Sequence, residues 1–75
     1  MMNAKETKNL LKEFAWSCYE FWANELNTDD DKEVWLKAIK DVEECKHNPF
    51  SPQGELLDTD VKAEFIKELK LDLGI

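Results

Sequence analysis

The sequence predicts an all-α fold, a compact three-helix bundle with a longer, proline-containing connection between the second and third helices. Apolar residues recur at helical spacing in three separate segments. Only two Gly and two Pro occur among the 75 residues, and both prolines lie in one stretch, so the other segments can be helical throughout. A chain of this length encloses one hydrophobic core, so we expect a single helical domain over residues 1–75.

The first helix is predicted from roughly Asn3 to Leu26, because this segment places a wide apolar stripe on one side. The stripe comprises Leu10, Leu11, Phe14, Ala15, Cys18, Tyr19, Phe21, Trp22 and Leu26. It covers about half of the helix circumference, more than the roughly 100° that an ordinary surface helix needs. We therefore expect this helix to pack against both of the others.

The second helix is predicted from about Asp30 to Lys46, after a break at the polar residues 27–29, whose short side chains can accept free amide protons at a helix start. Its apolar face consists of Val34, Trp35, Ala38, Ile39, Val42 and Cys45. The opposite face carries acids and lysines at a spacing of four, which is typical of a surface in contact with water.

The long connection is predicted from His47 to Leu57, where the pattern stops and turn-forming residues follow one another. Phe50 lies between the two prolines, and we expect it to anchor the connection against the core rather than to face a partner. Asp58 or Thr59 caps the third helix, which ends near Gly74. The apolar face of this helix consists of Val61, Phe65, Ile66 and Leu69. Three amphipathic helices joined in this way favour an antiparallel bundle.

The charge balance disfavours direct nucleic-acid binding. The formal net charge is −7, and all ten basic residues are Lys, so no guanidinium group is present to grip phosphates or guanine edges. The acids concentrate in two clusters, one with Asp29, Asp30, Asp31 and Glu33, the other with Glu55, Asp58 and Asp60. Both clusters fall at predicted helix N-termini, where acids stabilise the helix dipole, and this structural explanation is preferred over an acidic docking surface.

No catalytic or metal-binding motif is recognisable, so we expect no cofactor, no bound metal and no enzymatic activity. The acids from Asp29 resemble the start of a calcium loop, but Val34 stands where such a loop needs Gly, and Lys40 where it needs Glu. Cys18, Cys45 and His47 give at most three zinc ligands without paired cysteine spacing, and nothing beside them resembles an oxyanion hole.

The two cysteines predict reduced thiols in a cytoplasmic protein, because no secretory leader is recognisable and small secreted folds usually carry more bridges. The apolar runs are far shorter than the roughly 20 residues of a membrane-spanning helix, so no membrane association is expected.

Trp16 is the feature that the core pattern does not explain. It points away from the main stripe, in a sector shared with Ala23 and bordered by Lys12 and Glu20, and Tyr19 extends that sector. An exposed Trp beside a small residue is typical of surfaces that anchor partners. The alternative is that Trp16 only covers an edge of the core or is buried by the long connection. Leu36 and Leu71 also lie off their helices' apolar faces, which favours a continuous apolar contact area or a homodimer.

The leading hypothesis is a small, acidic, non-enzymatic protein-binding module or regulator. It would dock through an aromatic patch on the first helix, framed by carboxylates, onto a protein with a basic surface or onto a second copy of itself. The candidate binding residues are Trp16, Tyr19, Glu20, Ala23, Asp29, Asp30, Asp31 and Leu36. The alternative hypothesis is an inhibitor that mimics nucleic acid with its carboxylates, of the kind that phages and mobile elements encode.

Overall fold

The fold is an all-α three-helix bundle, as the sequence predicts. The computed structural model describes residues 3–75, with helices α1 (Ala4–Leu26), α2 (Asp31–Glu44) and α3 (Thr59–Leu73). A short link joins α1 to α2, and the proline-containing connection joins α2 to α3. No helix within residues 3–75 is both long enough and apolar enough to cross a bilayer.

Helix α1 begins after Asn3, whose side chain accepts a hydrogen bond from the Glu6 amide at 2.8 Å. It ends at Asn27, which takes a left-handed conformation (φ 46°) and donates its amide to the Ala23 carbonyl. Asn tolerates this conformation better than most side chains, so the chain can turn sharply into α2. The buried residues of α1 are Thr7, Leu10, Leu11, Ala15 and Cys18.

The predicted stripe of α1 is wrong at Phe21, which is 54% exposed. Phe21 lies at the flank of the stripe, and its ring packs edge-on against the neighbouring Trp22 instead of entering the core. The wide stripe therefore overestimates how much of the helix circumference is covered by α2 and α3.

Helix α2 starts one residue later than predicted and ends two residues earlier. Asp30 is the cap, and its carboxylate accepts the Lys32 amide at 3.1 Å. At the other end Cys45 leaves the helix with an extended backbone. The Lys46 carbonyl accepts the Leu57 amide at 3.0 Å, so Lys46 belongs to the connection rather than to the helix. The buried residues of α2 are Val34, Trp35, Ala38, Ile39 and Val42.

The connection folds back on itself, and Leu57, not Phe50, anchors it. His47 and Leu56 form an isolated antiparallel bridge, and the Asn48 amide donates to the Glu55 carbonyl at 2.7 Å. Leu57 is only 4% exposed, whereas Phe50 is 53% exposed, which corrects the prediction of a buried Phe50. Phe50 lies in a turn of the connection, and its ring packs edge-on against Phe14 at a centroid distance of 6.3 Å.

Helix α3 is capped by Asp58, whose carboxylate accepts the amides of Asp60 and Val61. It ends at Gly74, whose left-handed conformation (φ 72°) is the one that glycine adopts without strain. Only Phe65 and Ile66 of this helix are buried, and Leu69 and Leu73 pack against the core while remaining partly exposed. Their side chains join the core that α1 and α2 build together, so α3 is the least deeply anchored of the three helices.

Candidate functional site

An aromatic cluster of Trp16, Tyr19 and Trp35 lies where α1 meets the first half of α2. The Trp16 ring stands edge-on to Trp35 at a centroid distance of 5.4 Å and edge-on to Tyr19 at 5.7 Å. Tyr19 and Trp35 stack with centroids 4.6 Å apart. These are favourable geometries for aromatic rings, so the three side chains hold one another in place.

Exposure differs sharply within the aromatic cluster. Trp35 is 9% exposed and belongs to the core, and Tyr19 is half-buried, whereas Trp16 is 58% exposed. Residues 16 and 19 share one side of α1 because they are three positions apart, and Trp35 reaches them from α2. Trp16 is thus an ordered aromatic side chain with more than half of its surface in contact with water.

Tyr19 connects the aromatic cluster to the acidic start of α2. Its hydroxyl donates a hydrogen bond of 2.8 Å to the carboxylate of Asp31. This hydrogen bond raises the pKa of Tyr19, since deprotonation would break the bond and place two negative charges side by side. Asp31 therefore holds the tyrosine ring in its stacked position as well as favouring the helix N-terminus.

A groove opens between α1 and α3, and Trp16 forms part of its wall. Its volume is about 490 Å³. Its apolar lining consists of Ala15, Trp16, Trp35, Phe65 and Leu69, and its charged rim of Lys8, Lys12, Glu68 and Asp72. We call this feature the α1/α3 groove. The exposed face of Trp16 and a small part of the core are accessible there to another molecule.

The two walls of the α1/α3 groove carry opposite charges. Lys8 and Lys12 come from α1, while Glu68 and Asp72 come from α3. Lys8 and Glu68 form an ion pair at 3.7 Å that links the walls. Lys12 and Asp72 are exposed, and their side chains have no hydrogen-bonding or ionic partner within residues 3–75.

The structure brings only some of the predicted binding residues together. Trp16, Tyr19 and Asp31 form one contiguous arrangement. Glu20 is exposed and Ala23 half-buried, and neither lines the groove. Of the other predicted residues, Asp29 is exposed without lining the groove, Asp30 caps α2, and Leu36 is 50% exposed on α2 away from the groove.

The continuous apolar area predicted through Leu36 and Leu71 does not form a single depression. Leu71, 71% exposed, lines a second and shallower depression of about 390 Å³ beside Ile66 and Ile75. Leu36 lines neither depression. Leu71 therefore lies in a depression of the surface that does not include Leu36.

Several groove residues were missed in the sequence, because the α1 pattern does not show how closely α3 approaches. The helical pattern places Trp35 on the core-facing side of the second helix and Phe65 and Leu69 on that of the third helix, but it does not indicate that all three line a groove. One signal was present in the sequence. Lys8 and Lys12 are four residues apart on α1, and Glu68 and Asp72 are four apart on α3, as expected of two facing helix edges with opposite charge.

The two cysteines are free thiols in different environments. Cys18 is buried, and burial together with the nearby Asp41 and Cys45 raises its pKa to about 11, which keeps the thiol protonated at neutral pH. Cys45 is half-buried, and its thiol donates to the His47 carbonyl at 3.0 Å. Residues 3–75 contain no group of three or more His, Cys, Asp or Glu side chains placed to hold a metal ion.

Comparison of the chain with protein-family models, with curated proteins and with solved structures returned no match. The groove and the aromatic cluster are therefore the features of this molecule that indicate a function.

Proposed function

We propose that this protein is a non-enzymatic protein-binding module that docks a partner on the aromatic cluster and the adjoining α1/α3 groove. The observation that supports the proposal is Trp16, which is 58% exposed yet held edge-on by Tyr19 and Trp35 at the wall of a groove of about 490 Å³. A rigid indole beside a concave apolar surface is a typical anchor of protein interfaces.

An ordered Trp loses little side-chain entropy on binding, because its ring is already fixed by its neighbours. Covering the exposed face of Trp16 removes apolar surface from water, which stabilises a complex by about 25 cal/mol for each Å² that is buried. Trp16 therefore contributes more to an interface than to the core of the free protein.

The expected partner has an apolar docking segment within a generally basic surface. The net charge of −7 steers a basic protein toward this molecule at long range. Near the aromatic cluster, Asp31 and the exposed Glu20 supply part of that negative field. Long-range attraction sets the association rate, while the aromatic cluster provides most of the affinity.

The proposal can be tested with a displayed library of helical peptides of about 15 residues, a length near the lower limit for helices in water. We expect selection on the wild-type protein to enrich peptides with a large apolar residue at a fixed position. Binding of an enriched peptide is then measured by fluorescence anisotropy. Trp16→Ala should weaken it by at least about tenfold, equivalent to about 1.4 kcal/mol.

Leu36→Ala is the matched control, because Leu36 is similarly exposed but lies outside the groove. It should leave peptide affinity unchanged. Trp16→Ala should lower the free energy of unfolding by about 1–2 kcal/mol, since two edge contacts and a partly buried ring are lost but no enclosed cavity forms. A larger loss of stability would show that Trp16 belongs to the core. Binding that Trp16→Ala leaves unchanged but that weakens steeply as the salt concentration rises would favour the alternative hypothesis, a carboxylate surface that mimics nucleic acid.

A further inference from the structure

We propose that the occupant of the α1/α3 groove is an amphipathic helix of a partner protein, with one large apolar anchor, an acidic residue that faces Lys12 and a basic residue that faces Asp72. This inference rests on the proposed function and specifies the chemistry of the partner. Four features support it: the absence of a strand edge at the groove among residues 3–75, the dimensions of the groove, the opposite charges of its walls and the net charge of the chain.

A helix suits this surface better than an extended peptide. Recognition of an extended peptide commonly uses an open strand edge, whose free backbone groups pair with the peptide. Within residues 3–75 the only strand-like pairing is the bridge of His47 with Leu56, in the connection and away from the groove. The groove walls are helices, whose backbone groups are paired internally, so recognition must come from side chains.

The dimensions of the groove fit two turns of a helix. Its lining on α1 runs from Lys8 to Trp16, which corresponds to about 12 Å along a helix axis. On α3 it runs from Phe65 to Asp72, a similar length. Its volume of about 490 Å³ lies within the roughly 300–1,000 Å³ of known ligand clefts. This space accommodates one large anchor together with a neighbour one turn away.

The charges on the walls determine which helix edges are compatible. Lys8 and Glu68 already neutralise each other across one part of the groove. Lys12 on α1 and Asp72 on α3 remain unpaired charges on opposite walls, with the apolar lining of the groove between them. A helix with one acidic edge and one basic edge pairs with both, whereas a helix with two edges of the same charge repels one wall.

A second copy of this chain is a poorer occupant than a separate partner. Each copy carries a net charge of −7, so two copies repel each other at long range. The partner required here is basic overall, and it places an acid only at the edge that faces Lys12. The docking helix of the partner therefore carries both signs of charge, although the partner as a whole is basic.

Three synthetic peptides of about 15 residues test the inference, all with the same central Trp anchor and differing only in their flanking edges. One has an acidic and a basic edge, one has two basic edges, and one has two acidic edges. We expect the mixed peptide to bind the wild-type protein about threefold to fivefold more tightly than the other two, the effect of one exposed charge pair.

Charge reversal on the protein should redirect this preference. Lys12→Glu should favour the peptide with two basic edges, and Asp72→Lys should favour the one with two acidic edges. The double variant should again prefer the mixed peptide, bound in the opposite direction. Lys67→Glu and Glu64→Lys are the matched controls, because they make the same charge changes outside the groove and should leave the order of affinities unchanged.

The outcomes separate this inference from the proposed function. Equal binding of all three peptides that still depends on Trp16 would overturn the charge assignment and leave the docking function standing. Failure of every peptide to bind, or binding that Trp16→Ala does not change, would overturn both. Concentration-dependent self-association in sedimentation, blocked by the mixed peptide, would show instead that a second copy occupies the groove.

Discussion

Helix α1 meets its two neighbours in different ways. Toward α2 it forms a closed interface with Leu11, Ala38 and Val42, all fully buried, which we call the α1/α2 seam. Toward α3 it leaves the α1/α3 groove, with charged side chains on both walls. One helix thus serves as a stability element on one side and as an accessible surface on the other.

The difference follows from the side chains at each interface. Ala38 on α2 is fully buried and small enough to let α1 approach closely, and the branched residues around it fill the remaining space. The edges of α1 and α3 that face each other instead carry long charged side chains, which keep their charged ends in water. The α1/α3 interface thus has charged side chains at its rim, and Trp16 beside them stays 58% exposed.

The largest difference between the two interfaces should appear on truncation of Leu11, which is fully buried. Leu11→Ala should lower the free energy of unfolding by about 2–5 kcal/mol, since it removes apolar contacts and leaves a cavity. Urea titration followed by circular dichroism measures this. A loss no greater than that of Trp16→Ala would contradict the distinction between the α1/α2 seam and the groove.

A smaller effect is expected for the hydrogen bond that joins α1 to α2 beside the seam. The indole of Trp22 donates to the Asp41 carboxylate at 2.7 Å, and the Lys37 amine lies 5.6 Å from the same ring. Trp22→Phe should destabilise the protein by about 1–2 kcal/mol, because it leaves the half-buried carboxylate without its donor. Thermal denaturation tests this, and an unchanged melting temperature would show that water replaces the indole without loss.

The next effect is a pH dependence of the free energy of unfolding, which arises from Cys18 of α1. Because the pKa of Cys18 is raised to about 11 from an ordinary 9.0, folding favours the protonated thiol. The stability that this thiol contributes is fully present below pH 9 and is lost as the pH rises toward 11. Urea titrations over this range should show a steeper decline for the wild-type protein than for Cys18→Ala.

Cys45→Ala is the control for this measurement, and it should decline almost as steeply as the wild-type protein. Tyr19 also has a raised pKa, but it is present in all three proteins and so cancels in the comparison. Parallel curves for the wild-type protein and Cys18→Ala would contradict the burial of this thiol.

The smallest effect is expected at the rim of the groove. Lys8→Ala removes the ion pair with Glu68, whose side chains are 37% and 55% exposed, and should change the free energy of unfolding by no more than about 0.5 kcal/mol. Chemical denaturation measures the change. A loss above 1 kcal/mol would mean that the ion pair, rather than Phe65 and Ile66, holds α3 in place.

The helices and most core residues could be predicted from the sequence, because burial follows helical periodicity and helix ends follow local side chains. Asp58 and Gly74 lie at the predicted ends of α3 for this reason. Phe50 and Phe21 could not be placed, since their burial depends on how far the connection and α3 reach across the bundle, which no local pattern encodes.

The exposure of Trp16 was only half determined by the sequence. Its angular position away from the stripe indicated a surface location, but its contacts with Trp35 and Tyr19 depend on the approach of α2. The groove was missed altogether because it belongs to the space between two helices that are distant in the chain. Only the matching charges at Lys8, Lys12, Glu68 and Asp72 hinted at it.

The shallow anchoring of α3 links the groove to local unfolding. Helix α3 is attached through a long connection and carries two buried residues, Phe65 and Ile66, beside the partly buried Leu69 and Leu73, so we expect it to detach at a lower free energy than α1 and α2 separate. One wall of the groove leaves with it, so the proposed docking surface exists only while α3 is docked. A molecule that contacts both walls therefore slows amide hydrogen exchange in α3 more than elsewhere, by mass action on the docked state.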